Sequence, residues 1–308
     1  MGLRVIKIND YVPSKVFKNE DFEKIIDTSD EWIKSRTGIE QRHFVENEDT
    51  SDLALKVAEK FKEEDLSKVD VILVATFTPD YITPSIASLI QKELDIKEDT
   101  IAFDFNMACS GFVAGLKVLD SMLESNRRGI IIGAETISKV LDFSDRKTSI
   151  LFGDGAAGVL VEKNDEEMFF DIGSRGDCEV LVAFGETSQK KDNKKLFMEG
   201  KEVFRFATAI LTQSLNTTLE KYKIDIEEID YFVFHQANKR IIEHVRKKFK
   251  LPEEKIFMNL QKFGNTSSAS IPLALKEMSD KNILKENDRV FLSGFGGGLS
   301  WASTIIKW

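Results

Sequence analysis

The chain has 308 residues, 42% hydrophobic and 31% charged, with a formal net charge of −9, three histidines and two cysteines. That suits a globular protein with a large core, in one big domain or two fused halves. It argues against long disorder, against a disulfide framework, and against general nucleic-acid binding unless one face is locally basic.

The opening, MGLRVIKINDYVPSK, has no signal-peptide apolar region, and position 6 lacks the serine or threonine of a myristoylation signal. The longest apolar runs, such as VILVATF (71–77), are too short to span a bilayer. A cytoplasmic, reducing compartment with free thiols is the expectation.

In chain order, VDVILVAT (69–76) reads as a polar start followed by a buried strand. A helical segment follows, then strand IAFDFNM, Cys109, helix VAGLKVLDSML and strand RGIIIGAE (128–135). FGDGAAGVLVE (152–162) closes this part with a glycine-rich turn and a strand. Beyond the charged stretch EKNDEEM the order recurs. IDYFVFHQ (229–236) is a strand, NKRIIEHVRKKF a helix, KIFMNL a strand, and a turn stands at Asn265. Helix SSASIPLALKEM, strand DRVFLSGF (288–295) and the glycine-rich GFGGGLSWASTII (294–306) complete it. The spacing is 40 residues from Val69 to Cys109 and 36 from Ile229 to Asn265, which sets the two corners opposite each other. Strands alternating with helices predict α/β layers with mainly parallel pairing, and a repeat of about 150 residues is a duplicated domain. The expected halves are 1–165 and 166–308.

Cys109 stands at a strand-to-helix corner followed by small residues, Ser110 and Gly111. Unpaired N–H groups and the helix dipole favour thiolate there; the bland alternative is a small buried hydrophobe. Cys178, in SRGDCEV, has no such setting and reads as incidental. His235 ends the apolar strand YFVF, where α/β folds place their sites. His244 lies among charged residues at helical spacing and reads as solvated, and His43 has no catalytic context. Asn265 is by default a turn or cap residue, yet with Cys109 and His235 it makes a Cys/His/Asn set at strand ends. Neither FGDGAAG nor FGGGLS is a phosphate-binding signature; an N–H of the GGG turn suits an oxyanion hole.

MACSGF, HQAN, GNTSSAS and GFGGGLSW, in this order and spacing, resemble β-ketoacyl-acyl carrier protein synthase III, a condensing enzyme of the thiolase superfamily. The resemblance runs from DEWIKSRTGI (30–39) to Trp308. It implies a thiolase-like fold of duplicated α/β halves, layered α-β-α-β-α. It implies decarboxylative condensation of an acyl-coenzyme A primer with malonyl-acyl carrier protein, initiating fatty acid synthesis, with no cofactor and no metal. Cys109 takes the nucleophile's place, and His235 and Asn265 that of the pair supporting decarboxylation. The N–H groups of Cys109 and Gly297 match the oxyanion hole, and Trp32, Arg36 and Arg146 the coenzyme A site. Arg240 matches a carrier-protein contact. A homodimer is implied, with Thr83 at the acyl-pocket gate where phenylalanine is common; a smaller gate admits longer or branched primers. Lys201 stands where the family often has asparagine, and the stretch 176–197 looks short.

KRIIEHVRKKFK (239–250) carries six basic residues against one acidic, a basic face for an acidic carrier protein. Ile241, Val245 and Phe249 form its buried stripe, leaving Lys239, Arg240, Arg246, Lys247 and Lys250 to face outward, and Arg240, Lys247 and Lys248 are the expected docking residues. The alternative is a specialised synthase III relative making a polyketide, quinolone or ester product. A non-catalytic acyl-binding subunit would be expected to lack Cys109 or His235.

Overall fold

The computed structural model describes residues 2–184 and 195–308. Two mixed sheets form the frame. They hold four antiparallel pairings against three parallel ones, where the sequence predicts mainly parallel pairing, because β-hairpin and edge pairings join the parallel cores. The first contains β1 (Gly2–Tyr11), β2 (Val69–Ala75), β3 (Ile101–Phe105), β4 (Arg128–Glu135) and β5 (Gly155–Asn164) in the order β1-β5-β4-β2-β3. The second contains β6 (Phe170–Ser174), β7 (Tyr231–Phe234), β8 (Arg289–Gly296) and β9 (Ser300–Lys307) in the order β6-β9-β8-β7. In each, two antiparallel pairings lead to a parallel one: β1 to β5, β5 to β4 and β4 to β2, against β6 to β9, β9 to β8 and β8 to β7. A single parallel bridge from Phe232 to Ile256 stands where β3 stands in the first sheet. The segment KIFMNL, expected as a full strand, is therefore one bridge between a short 3₁₀ turn and the helical turn Leu260–Phe263.

Helices α4 (Gly111–Met122) and α7 (Ser270–Asp280) lie between the sheets. Their Val113, Leu116, Ile271 and Leu275 pack with Leu73 and Ile131 of one sheet and Val233 and Leu292 of the other. The outer face of the first sheet, with Ile72, Val74 and Ile130, is covered by α2 (Thr50–Glu59) and α3 (Ile86–Glu93). That of the second, with Phe232 and Phe291, is covered by α5 (Gly200–Tyr222) and α6 (Lys239–Phe249). The result is the layered α-β-α-β-α arrangement. Buried on both faces, the central strands have to be apolar throughout, which is why VILVA shows no alternation.

The duplication extends to backbone detail. Ala108 and Ser267, each opening a 3₁₀ turn before a central helix, have positive φ of 45° and 50°. Each N–H is held by an asparagine two residues earlier: Ala108 N donates to Asn106 Oδ1 at 3.0 Å, and Ser267 N to Asn265 Oδ1 at 2.9 Å. Asn265 thus corresponds to Asn106, and Cys109 to Ser268, three residues away from the correspondence that spacing alone suggests. Strand register likewise matches His235 to Ala75.

The corners cross between halves. A Cβ at Gly133, on β4, would come 2.4 Å from the Ser268 carbonyl oxygen. At the matching Gly294, on β8, it would come 2.9 Å from the Cys109 carbonyl oxygen. Gly133→Ala should therefore cost ~1–3 kcal/mol by overpacking. Gly176→Ala, with open space around it, should stay within ~0.5 kcal/mol of wild type. Urea unfolding of the two variants is the check, and equal midpoints would contradict the close approach.

Candidate active site

Cys109 sits in the 3₁₀ turn Ala108–Ser110 that runs into α4. The second half grips this corner. Ser300 Oγ is 2.9 Å from Ser110 Oγ and donates to the Met107 carbonyl at 3.2 Å. A Cβ at Gly296 would stand 2.7 Å from the Cys109 nitrogen, so only glycine lets β8 pass there. Gly298, at φ 109°, makes the hairpin between β8 and β9.

His235 follows β7 and is wholly buried. Its Nδ1 is 2.6 Å from Ser270 Oγ, at the start of α7. The same oxygen accepts from the Gln236 N–H at 3.4 Å. Among the described residues Nδ1 is the one acceptor bonded by the Ser270 hydroxyl, so that hydroxyl donates to Nδ1 and the imidazole proton resides on Nε2. Asn265 is oriented the same way. Its Oδ1 accepts from Ser267 N, so its amide N–H groups remain to donate elsewhere. The backbone of Asn265 is fixed by Leu151 and Gly153, at 2.8 and 3.0 Å.

Cys109, His235 and Asn265 line one cavity of about 140 Å³, with Phe204 and Phe295 among its walls. A second cavity, of about 540 Å³, also reaches Cys109 and is lined by Phe77, Leu181, Leu196 and Gly297. The thiol lies where a narrow branch carrying the two donors meets a wider, mainly apolar branch.

Burial sets the protonation states. It pushes the Cys109 thiol up to about 12, and the Glu135 charge adds to the rise. The thiolate expected from the helix start is thus opposed by desolvation at this buried corner. Burial also pushes His235 down to about 3, so the imidazole is neutral and serves as a donor.

The expected coenzyme A residues also meet. Arg146 lies 4.6 Å and Arg36 6.0 Å from the Trp32 ring, all three side chains being exposed. Trp32 and Arg36 are on α1 (Asp30–Thr37), and Asn238, the cap of α6, donates to the Arg36 carbonyl at 3.2 Å. This cluster therefore borders the start of α6. There Arg240 lies 5.9 Å from the ring of Phe204, a wall of the narrow cavity.

On α6, Ile241, Ile242 and Val245 are buried and Phe249 is half-buried. Arg240, Lys247 and Lys248 are exposed, as is His244. Arg246, expected to face outward, is instead half-buried and bound to Glu243, 2.9 Å away. Thr83 is exposed in a loop with Tyr81 and Ile82, away from the walls of this chain's own cavities. Lys201 is exposed at the start of α5. Of the stretch 176–197, residues 185–194 lie outside the described residues.

Cys178 read as incidental, yet it lines the wide cavity. Ser270 went unread because nothing distinguishes it within the run TSSAS. Its one sequence mark is its position, five residues after Asn265.

Family models described as 3-oxoacyl-[acyl-carrier-protein (ACP)] synthase III and as its C-terminal part match residues 103–176 and 219–308. The β-ketoacyl-[acyl-carrier-protein] synthase III of Clostridium acetobutylicum is 42% identical over 322 residues, covering 100% of this chain and 99% of that protein. The chain belongs to the 3-oxoacyl-acyl carrier protein synthase III family. It is an acyltransferase of the condensing, thiolase-fold kind that initiates fatty acid synthesis. The synthase III of Streptococcus agalactiae serotype III is 43% identical, covering 99% of this chain and 98% of that one. The crystal structure of 3-oxoacyl-[acyl-carrier-protein] synthase III from Aquifex aeolicus VF5 superposes with a TM-score of 0.92 at 36% identity, covering 100% of both chains.

Removing the Ser270 hydroxyl leaves a buried ring nitrogen without its partner, at a cost of ~1–3 kcal/mol. Ser270→Ala should lose that much stability and mix the two His235 tautomers, read from imidazole ¹⁵N shifts. Ser270→Thr should restore both. Unaltered shifts in Ser270→Ala would show that Ser270 does not orient the ring.

Proposed function

We propose that Cys109 takes an acyl group from acyl-coenzyme A, and that His235 and Asn265 then support decarboxylation of malonyl-acyl carrier protein. The halves 1–165 and 166–308 divide this work, the first supplying the nucleophile and the second the two donors. The observation that carries the reading is the convergence of these three residues on one cavity from distant parts of the chain.

The chemistry follows from the residue types. A thiol exchanges thioesters without ATP. The tetrahedral oxyanion is received by the N–H groups of Cys109 and Gly297. Loss of carbon dioxide from the malonyl thioester leaves an enolate, and its oxygen needs donors already in place. His235 Nε2–H and the Asn265 amide are such donors, held by Ser270 and Ser267. The enolate carbon attacks the acyl carbonyl, and the lengthened chain leaves Cys109 as a 3-ketoacyl thioester. None of these steps calls for a cofactor or a metal.

Trp32, Arg36 and Arg146 are suited to the adenine and phosphate end of coenzyme A, the ring for stacking and the guanidinium groups for anions. Arg240, Lys247 and Lys248 give an acidic carrier protein a basic landing beside the narrow cavity. The primer's chain is assigned to the wide, apolar cavity. A homodimer through the edge strand β3 fits the open backbone of that strand and the exposure of Tyr81, Ile82 and Ile101. Thr83 lies in the same exposed loop and would gate the partner's pocket. Among the described residues no helix is long and apolar enough to cross a membrane, and a cytoplasmic site suits free thiols and a soluble carrier. The synthase III names of the relatives favour a fatty acid primer step over a polyketide, quinolone or ester product.

Intact-mass measurement after incubation with a panel of acyl-coenzyme A primers tests the assignment. Wild type should gain an acyl mass on Cys109, and Cys109→Ala should gain none. His235→Ala and Asn265→Ala should still load but lose condensation by ~10²-fold or more, as when an oxyanion donor is removed. Loading of Cys109→Ala, or unimpaired condensation in either donor variant, would refute the corresponding role.

Docking is tested separately. Arg240→Glu should slow use of malonyl-acyl carrier protein about tenfold at low salt while loading stays near normal, Lys247→Glu acting more weakly. A wild-type rate indifferent to salt, with an unaffected Arg240→Glu, would make α6 an ordinary solvated face.

A further inference from the structure

One wall of the wide cavity stands on a turn that no regular element supports. Strand β2 ends at Ala75, and residues 76–85 belong to neither helix nor strand. Thr76 and Thr78 are buried, and Phe77 between them is half-buried and lines the cavity. Its ring packs against the cluster that contains Ile137, Phe152 and Leu196, and the last two are cavity walls as well. What holds this turn is Glu135, the last residue of the neighbouring strand β4, which is wholly buried. Its Oε2 accepts from Thr78 Oγ1 at 2.6 Å, from Thr76 Oγ1 at 3.1 Å and from the Phe77 N–H at 3.2 Å.

Burying a carboxyl group is costly, and a cation is the usual compensation. Among the described residues Glu135 has none; its partners are hydroxyls and one backbone N–H. Three of these partners are consecutive, residues 76 to 78, so a single side chain fixes one turn at three successive points. The fourth, Ser268, lies 3.1 Å from Oε1 and donates to the Ala75 carbonyl at 2.8 Å, which ties the end of β2 to the second half. Neighbouring bonds extend the anchor. The Thr136 N–H donates to Thr78 Oγ1 at 3.0 Å, and the Thr50 hydroxyl to the Thr78 carbonyl at 2.6 Å. Beyond Asp80, which accepts from the Ser51 N–H at 2.9 Å, the loop is exposed at Tyr81, Ile82 and Thr83. The root of the loop is held fast, and Phe77 is on the root.

We propose that Glu135 is a positioning residue for primer selection: by fixing residues 76–78 it sets Phe77 as a wall of the wide cavity and limits the acyl chain that Cys109 accepts. This rests on the reading of the wide cavity as the primer's site. A wall held by packing alone yields to a longer chain, because an apolar contact has no preferred direction. A wall whose backbone is hydrogen-bonded to a buried group yields only by breaking those bonds, which leaves a polar group unsatisfied in the interior. Glu135 touches neither the thiol nor the primer in this account; it acts through the Phe77 ring.

The test is single-turnover loading of Cys109 by an equimolar mixture of butyryl- and octanoyl-coenzyme A, read as the ratio of the two acyl masses on the intact protein. That ratio does not depend on how much of a variant is folded, so a merely structural role would leave it unchanged. Phe77→Ala should raise the octanoyl share about tenfold. Glu135→Ala should raise it in the same direction, by about threefold or more. Glu135→Gln should keep the wild-type ratio. Its amide oxygen suits the two threonine hydroxyls and the Phe77 N–H, and its amide N–H faces Ser268, whose own proton has the Ala75 carbonyl. A wild-type ratio in Glu135→Ala beside a shifted one in Phe77→Ala overturns the proposal. So does a Glu135→Gln ratio shifted as far as that of Glu135→Ala, since charge rather than hydrogen bonding would then be the cause. Should Glu135→Ala fail to fold, Thr78→Val removes the shortest of the bonds with the shape kept, and an unchanged ratio there overturns it equally. An unchanged ratio in Phe77→Ala would instead remove the reading of the wide cavity as the primer's site, and this proposal with it.

Discussion

Backbone reaches Cys109 from the opposite half of the molecule only because residues 294 and 296 have no side chains. A Cβ at either position would stand within 3 Å of the Cys109 backbone. Everything that follows at the site depends on this approach. It brings the hairpin carrying Gly297 and Ser300 onto the Cys109 corner. Gly133 allows the same approach on the other side, where β4 meets Ser268. Two duplicated halves lock together through reciprocal corners, and the site lies where they cross.

The reciprocity also shows what the two corners no longer share. Cys109, His235 and Asn265 have Ser268, Ala75 and Asn106 as counterparts, and the last still fixes its turn by the same Asn-to-N–H bond. One crossing carries a thiol and an imidazole. The other carries a serine and an alanine, with Glu135 buried beside them where the first has Gly296. Duplication has left two corners of unlike chemistry, of which we propose the first as the reactive site.

The large divisions of the fold were legible because they depend on local pattern. Apolar runs bounded by turns mark strands buried on both faces, and charged EKNDEEM separates the two series. Cys109 and His235 could be singled out as candidates because each is a rare residue type at the end of an apolar strand. Asn265 was legible as a residue, but its counterpart was not. Corner matching by spacing puts Cys109 opposite Asn265, whereas positive φ at Ala108 and Ser267 shifts the match by three. Backbone sign leaves no mark in an alanine or a serine. Ser267, Ser268 and Ser270 were equally silent, since three serines in a run have identical chemistry until the fold gives each a different neighbour. Desolvation was the other hidden quantity. A helix start at Cys109 argues for thiolate, but the burial that reverses the balance comes with packing from far away in sequence, such as the strand carrying Gly294 and Gly296.

The central claim is that one thiol serves two branches, donors on one side and primer on the other. A crystal structure of the enzyme acylated by a short acyl-coenzyme A tests it most directly. The account predicts acyl carbon on Cys109 Sγ, its carbonyl oxygen within hydrogen-bond distance of the Cys109 and Gly297 N–H groups, and its chain directed towards Phe77 and Leu196. An acyl group on Cys178, or a chain running into the narrow branch between His235 and Asn265, would contradict it.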